Sequence, residues 1–322
     1  MNAPVLYVIV PCYNEEAALP QTAPRLTALL AALAGDGKIA PESRVTLVDD
    51  GSKDKTWDVI SALAEKEPAV EGLKLAHNAG HQNALWAGMM TVRDKADAVV
   101  TIDADLQDDP EAIRAFVEAY REGCDVVYGV RAGRQADTRF KRSTAHAYYK
   151  LMGKMGADLV YDHADYRLLS RRALDALSEF GETNLFLRGM VPLLGFKTRE
   201  IAYERGARVA GESKYPLKKM LAFAMEGITS FSVRPIRVVL ALGAIFALLG
   251  IVMLLYALIS HLAGRAVAGW TSIMVSVWLI GGFQLMGLGL IGEYVGKIYT
   301  EVKRRPRYIV ETYLDKAPER PA

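Results

Sequence analysis

Two carboxylates one residue apart, Asp103 and Asp105, follow the apolar run Ala98–Ile102. Residues two apart on an extended strand point the same way, so this spacing aims two negative charges from one strand end. Close carboxylates repel unless a cation lies between them, and Mg²⁺ is commonly held by one or two carboxylates, water and substrate phosphates. The implied chemistry is a metal–diphosphate site. A second acidic pair, Asp49-Asp50, opens the turn Gly51-Ser52-Lys53-Asp54-Lys55-Thr56 after the run Val45–Val48. A carboxylate there could bond a ribose or base, although the same composition suits a solvated turn. The first apolar run leads into Pro11-Cys12-Tyr13-Asn14-Glu15-Glu16, where Tyr13 could stack on a base. Arg131, at the end of Val126–Val130, and Arg208 and Lys214, either side of Gly211, could meet phosphate as charge-assisted donors. The stretch His163-Ala164-Asp165-Tyr166-Arg167 puts an acid and a base side by side. Surface ion pairing is the ordinary alternative for each of these charged groups. The histidines and cysteines have no zinc-like spacing, so His77 and His81 read as structural or hydrogen-bonding residues.

The elements that must position these residues alternate. Strand candidates are Val5–Val10, Val45–Val48, Leu73–Ala76, Ala98–Ile102 and Val126–Tyr128. Helical stretches are Glu15–Ala34, Thr56–Lys66, Gln82–Arg93 and Pro110–Glu122, the last with Asp109 as a cap and Gly123 as a stop. Alternation of this kind predicts a mostly parallel α/β sheet covered on both faces. In such sheets ligands bind at the carboxyl ends of the strands, where both acidic pairs and the Pro11–Glu16 segment fall. Neither a P-loop nor a Gly-x-Gly-x-x-Gly motif is present, so ATP hydrolysis and dinucleotide binding lack their usual marks.

The chain has 322 residues, 51% of them hydrophobic, and a formal net charge of +2. That balance gives no global case for nucleic-acid binding, and the two cysteines, Cys12 and Cys124, make no disulfide framework. No signal peptide is expected from the N-terminal pattern. Beyond about residue 131 the pattern changes. Residues 137–155 and 214–235 are basic, with aromatic and aliphatic residues interleaved, and read as amphipathic helices on an anionic membrane surface. Val238–Ser260 and Ala266–Gly292 contain no Asp, Glu, Lys or Arg, and each exceeds the ~20 residues needed to cross a bilayer. They predict a transmembrane hairpin over 236–296, with Gly292 and Gly296 permitting close helix approach. Lys and Arg flank the hairpin on both outer sides, which predicts a cytoplasmic domain over 1–213 and a basic cytoplasmic tail over 297–322.

Taken in order, PCYNE, DDGSKDKT, DADLQDDP, GVR, HADYR and RVAGESK resemble glycosyltransferase family 2 enzymes of the polyprenyl-phosphate type. That group includes bactoprenol glucosyltransferases, undecaprenyl-phosphate aminoarabinose transferases and dolichol-phosphate mannose synthase. The segment Gly287–Val310 is similar to the bacterial members. The resemblance spans about residues 5 to 310 and implies a GT-A catalytic domain (Rossmann-like, mostly parallel sheet) plus a C-terminal two-helix membrane hairpin. It implies a nucleotide-sugar donor (UDP-glucose expected, with UDP-GlcNAc, UDP-galactose, UDP-aminoarabinose or GDP-mannose as alternatives), Mg²⁺ or Mn²⁺, an undecaprenyl or other polyprenyl phosphate acceptor, and a multi-pass inner-membrane location. Homo-oligomers, tetramers included, occur in the family.

Carried over by position, the resemblance gives Pro11, Tyr13, Glu15, Val48, Asp50, Asp103, Ala104, Gln107 and Arg131 to the nucleotide sugar. It gives Asp103 and Asp105 to the metal, and Arg208, Ser213 and Lys214 to the phosphates. Asp165, with Asp105 and Arg167 beside it as catalytic residues, matches the position often proposed as base. A phosphate monoester, with its second pKa near ~6, is largely a dianion at neutral pH and needs little proton removal. Asp165 is therefore equally suited to orient Arg167 or a sugar hydroxyl. Processive polysaccharide synthases share the Asp-x-Asp, but their Gln-x-x-Arg-Trp motif does not occur here. A non-catalytic membrane scaffold with the same fold and a soluble metabolic enzyme with a hydrophobic dimer interface are the remaining alternatives.

Overall fold

The computed structural model describes residues 3–131, 163–183, 185–204 and 269–316, with scattered helical positions between 236 and 259. In chain order the elements are β1 (Leu6–Cys12), α1 (Leu19–Gly35), β2 (Arg44–Asp49), α2 (Thr56–Lys66), β3 (Val70–Leu75), α3 (His81–Val92), β4 (Ala98–Thr101), α4 (Ala112–Arg121) and β5 (Val126–Arg131). They continue with β6 (His163–Ser170), α5 (Arg171–Ser178), α6 (Leu187–Leu193), β7 (Thr198–Tyr203), α7 (Trp270–Lys303) and β8 (Val310–Leu314).

One sheet carries the strands in the order β7-β5-β6-β4-β1-β2-β3-β8. The centre is built as expected from continuous apolar runs: all seven residues of β1 are buried, as are all four of β4, the mark of strands covered on both faces. The β1·β2, β2·β3, β1·β4 and β5·β7 ladders are parallel, whereas β4·β6, β5·β6 and β3·β8 are antiparallel. The sheet is mostly parallel, as expected, with four parallel ladders of seven among the described residues and a parallel core β4-β1-β2-β3, to which β6 and β8 add antiparallel pairings. The additions have physical reasons for being hidden in the sequence. β6 buries Asp165 and Arg167 among its apolar residues, and their mutual pairing replaces the hydrophobic run by which a buried strand is recognised. β7 and β8 are edge strands with exposed positions, where burial imposes little pattern.

β1 has β2 on one side and β4 on the other, so the chain reverses direction of growth at β1. A switch point of this kind opens a crevice at the carboxyl ends of the strands. Antiparallel β6 pairs Arg167 with Thr101 of β4, and this register brings Asp165 to the level of Asp103. Thr22 of α1 donates to the carbonyl of Ala104 at 2.7 Å, fixing the Asp103–Asp105 loop from below. Asp109 accepts the amide of Glu111 at 3.0 Å at the start of α4, and Gly123 (φ +86°) turns the chain out after it.

The chain divides into two compact units, one of which contains the sheet and the other α7. The segment following α7, expected to be a tail, supplies β8 to the first unit: Tyr313 donates to the buried carboxylate of Glu71 at 2.7 Å, and Asp315 pairs with Lys95. In the second unit, α7 runs for 34 residues with Ile273, Val277, Ile280, Leu285, Leu288 and Ile291 exposed. Among the described residues no helix is long and apolar enough to cross a membrane. Most of Val238–Ser260 and several side chains between 271 and 290 lie outside the described residues, as do the amphipathic stretches 137–155 and 214–235. Among the described residues nothing lies within 4 Å of a Cβ placed at Gly292 or Gly296, whereas a Cβ placed at Gly287 would lie 3.3 Å from Val239 Cγ1.

Candidate functional site

A cleft of about 310 Å³ lies at the carboxyl edge of the sheet, lined by Pro11, Cys12, Tyr13, Glu15, Asp50, Asn78, Gly80, His81, Ala84, Asp103, Ala104 and Asp105. It follows the β1/β4 switch point. Six of the positions expected from the resemblance to touch a nucleotide sugar are on that wall: Pro11, Tyr13, Glu15, Asp50, Asp103 and Ala104. Asp105, expected at the metal, joins them.

The floor is made rigid by two loops that bond each other. Asn14 (φ +56°) donates its amide to the hydroxyl of Ser52 and accepts the Lys53 amide at 2.9 Å. The Glu15 amide meets Thr56 Oγ1 at 2.8 Å, and Glu16 accepts the Lys55 amide at 2.9 Å. These bonds explain why Asn, Glu, Ser and Thr stand where they do, and they present Tyr13, 42% exposed, at the rim. Asp50 spans to the next loop, accepting the amides of Ala79 at 2.7 Å and Gly80 at 3.0 Å. Its burial pushes its pKa up, against those two hydrogen bonds. Gly51 has φ +65°, and a Cβ there would come within 2.5 Å of the Asn78 amide nitrogen. Asp49 turns inward, accepts the Ser52 amide at 3.1 Å and does not line the cleft. The Cys12 thiol is pushed well up by burial and by the Glu15 and Asp49 charges, so it stays protonated and is no nucleophile.

The opposite corner is built from charge. Asp103 has its pKa raised by desolvation and by the Asp165, Asp108 and Asp105 carboxylates, with His81 opposing. His81 Nε2 lies 3.7 Å from Asp103 and 3.4 Å from Asp165. Burial disfavours its charge, but Asp165 and Asp103 outweigh that and raise its pKa. Asp165 is 7% exposed. It accepts from Gln82 at 3.1 Å, from Arg167, and from Arg188 through Nε at 3.3 Å and a terminal nitrogen at 3.1 Å. Burial opposes its charge, yet Arg188, the His81 hydrogen bond and Arg167 hold its pKa well below the carboxylate range.

Other expected site residues sit behind the wall. Arg167 is 2% exposed and bonds Asp165 and the Leu187 carbonyl, so it positions neighbours and does not reach the cleft. Val48 is fully buried against α3, where a Cβ on Gly88 would be 2.9 Å from its Cγ2; its side chain cannot touch a nucleotide. Gln107 is buried, its amide bonded to Asp105 at 3.2 Å. Arg131 faces Asp108 at 3.4 Å and Tyr203 at 3.4 Å, and Tyr203 also donates to Asp108 at 2.6 Å. Its cation is thus partly neutralised on the sheet. Arg208, Ser213 and Lys214 lie outside the described residues.

From sequence His81 reads only as a structural or hydrogen-bonding residue, and Gln82, Arg188 and Tyr203 carry no site role. His81 opens α3 beside Gly80 (φ +92°), and that glycine-to-helix junction was the available signal; nothing local marks Arg188.

Asp103 and Asp105 fit a divalent cation by donor chemistry: hard oxygen donors whose mutual repulsion a cation relieves. Among the described residues no group of three or more His, Cys, Asp or Glu side chains is arranged to hold an ion. The set suits a metal completed by substrate phosphates and water better than an all-protein cage.

The crevice lies at the switch point of an α/β sheet with an Asp-x-Asp at its wall, and the protein class that goes with it is a glycosyltransferase. The family comparison agrees. The model of glycosyl transferase family 2 matches residues 7–178 and that of the GtrB C-terminal hairpin residues 234–298. The chain belongs to glycosyl transferase family 2, with a GtrB-type hairpin domain after the catalytic domain. It is 51% identical over 313 residues to the uncharacterized glycosyltransferase YkoT of Bacillus subtilis (97% of this chain, 93% of YkoT). It is 38% identical over 307 residues to the SfII prophage-derived bactoprenol glucosyl transferase of Shigella flexneri (94% and 96%). The glucosyl-3-phosphoglycerate synthase of Mycobacterium tuberculosis, solved with Mn²⁺, UDP-glucose and phosphoglyceric acid, aligns at TM-score 0.41 with 18% identity over 70% of this chain and 78% of that one.

Proposed function

We propose that the protein transfers a sugar, with inversion, from a nucleotide sugar to a polyprenyl phosphate at the membrane surface, giving a β-linked glycosyl phosphoryl polyprenol and a nucleoside diphosphate. The observation that carries this reading is that Asp103, on the cleft wall with Asp105, faces His81 at 3.7 Å, and His81 in turn meets Asp165, the partner of Arg188, at 3.4 Å. A negatively charged leaving group and a negatively charged nucleophile both need cations there, and the relatives named bactoprenol glucosyl transferase supply the acceptor class. UDP-glucose is the donor we favour on the same ground.

In this mechanism Tyr13 stacks on the base, while Asp50 holds the loop that closes the nucleotide floor. Pro11, Glu15 and Ala104 shape the wall. Asp103 and Asp105 would hold Mg²⁺ or Mn²⁺, which when bound stabilises charge on the leaving diphosphate. Gln107 braces Asp105, and Arg131 braces Asp108 beneath it. Arg208, Ser213 and Lys214 are assigned to phosphates on the resemblance. The acceptor attacks as a dianion already free of its proton, so Asp165 works by orienting cations. The charge-free stretches Val238–Ser260 and Ala266–Gly292 support a membrane hairpin that brings the lipid phosphate to the cleft, a positioning effect, with the catalytic domain on the cytoplasmic side.

The test is transfer of radiolabelled sugar from a panel of UDP- and GDP-sugars to undecaprenyl phosphate by detergent-purified protein, with Mn²⁺ or with EDTA. Metal-dependent, lipid-linked product from one donor is expected. Nucleotide binding without transfer from any donor would overturn the reading in favour of a scaffold that keeps the fold.

A further inference from the structure

Asp165, Arg167 and Gln82 converge on one short piece of backbone. The Leu187 amide donates to Gln82 Oε1 at 3.0 Å, and the Leu187 carbonyl accepts from Arg167 at 3.2 Å. The next residue, Arg188, is clasped by both oxygens of Asp165 at 3.3 and 3.1 Å. Gln82 closes the ring by donating to Asp165 at 3.1 Å. Burying the Arg167–Asp165 pair is costly in itself and is weak evidence of a purely stabilising role. Here it fixes the backbone on one side of Arg188 and the carboxylate that aims its guanidinium. Arg167 is 2% exposed and Arg188 35%, so of the two guanidiniums on Asp165 only Arg188 faces solvent.

The charges point the same way. Arg167, Arg188 and His81 all lie within 3.4 Å of Asp165, so among the described residues this corner gathers donors around one carboxylate. On the cleft side His81 also faces Asp103 at 3.7 Å, which ties this corner to the cleft wall. Arg188, aimed by Asp165 and facing solvent, is a donor whose planar guanidinium matches phosphate geometry.

We propose that Arg188 binds the phosphate of the acceptor, with Asp165, Arg167 and Gln82 as the residues that position it. This rests on the reading of the protein as a polyprenyl-phosphate glycosyltransferase. It makes Asp165 the holder of an acceptor-binding cation, which accounts for a carboxylate at this position without any proton transfer.

The experiment measures initial rates with UDP-glucose, or with whichever donor the panel selects, against varied undecaprenyl phosphate, beside UDP affinity by titration. Arg188→Gln is expected to raise the acceptor KM roughly tenfold to a hundredfold, the range for losing a charge-assisted hydrogen bond, with UDP affinity unchanged. Arg188→Lys should recover part of that loss. Gln82→Ala should raise the acceptor KM less, and should add nothing in the double variant with Arg188→Gln. If Arg188→Gln does not fold, the Lys and Gln82→Ala variants carry the same comparison. An unchanged acceptor KM in an active variant overturns the proposal, as does a loss of UDP affinity that accounts for the whole effect, because Arg188 would then serve the donor diphosphate. If the wild-type protein transfers sugar to no polyprenyl phosphate, the functional reading itself fails, and this assignment with it.

Discussion

The two ends of the cleft are made rigid in different ways. At the nucleotide floor, side chains of Asn14, Glu16, Ser52 and Thr56 bond backbone amides of the facing loop. No ion pair among the described residues is needed to hold those two loops together. At the other corner, Asp165 is held by Arg167, Arg188 and His81. The difference teaches what each end must tolerate. Neutral hydrogen bonds fix a shape that is the same with or without ligand. A charged corner, where each cation is aimed by a shared counter-ion, responds to the charge of what arrives.

The largest effect is expected where the ends meet. Asp105→Asn should lower transfer by about 10³-fold, the upper range for removing one preorganised electrostatic contact, while leaving thermal unfolding within a degree or two of wild type. The assay is single-turnover transfer to undecaprenyl phosphate at saturating donor. A loss below tenfold would detach Asp105 from the chemistry and leave Asp103 to hold the cation alone.

Asp165→Asn should act mainly on the fold. It leaves Arg167 buried with its charge uncompensated, a change that costs about 3–5 kcal/mol, and its activity loss should be much smaller than that of Asp105→Asn once folding is secured. The pH dependence has a definite sign. The native pKa of Asp165 lies well below the usual range, so its ionised form contributes stability above the unfolded carboxylate pKa of ~3.9, and that contribution is lost as pH falls further. The stability gap between wild type and Asp165→Asn should therefore be full at pH 6–8 and shrink below pH ~4. Transfer by wild type should show no acid limb from Asp165 at neutral pH. Equal, near-total losses in folded Asp165→Asn and Asp105→Asn would restore a direct chemical role for Asp165.

How far the sequence could be read follows the same division. The nucleotide floor was legible because its residues form contiguous motifs after strongly apolar strands: Tyr13, Asp50 and Asp103 could be placed at strand ends without knowing any contact. The parallel core was legible for the same reason. The charged corner was not, because Gln82 meets Leu187 across 105 residues and Arg188 meets Asp165 across 23. Only the antiparallel insertion of β6 next to β4 makes Asp165 a neighbour of Asp103, and β6 hides its strand character by pairing its own buried charges. Val48 and Arg167 show the converse: motif position alone assigned one to the nucleotide and the other to catalysis, and both side chains are buried off the cleft wall. β8 escaped notice because an edge strand needs one good anchor, here Tyr313 on Glu71, more than it needs a hydrophobic run.

Gly51→Ala tests the floor. The substitution meets φ +65° and backbone atoms of His77 and Asn78 within 2.6 Å, so the turn or the 77–80 loop must shift. A cost of about 1–3 kcal/mol is expected for such a strained position. Because Asp50 ties those two loops together, donor KM should rise while acceptor KM stays put. A matching rise in acceptor KM would mean that the two ends of the cleft are mechanically coupled, against the comparison drawn above.

The smallest effect, and the sharpest for donor choice, is expected at Tyr13. Its ring is 42% exposed, so Tyr13→Ala removes little packing and should leave thermal stability unchanged. Stacking of a base on an aromatic ring contributes ~1–3 kcal/mol and is tolerant of base identity, since every base has a π-face. UDP and GDP should therefore weaken by similar factors, each roughly tenfold, when titrated into the variant, and any preference of the wild type for one of them should survive. That preference would then reside in what reads the edge of the base. A variant that loses its nucleotide preference would instead make Tyr13 itself the selector, acting through its hydroxyl, and Tyr13→Phe would separate that outcome from stacking.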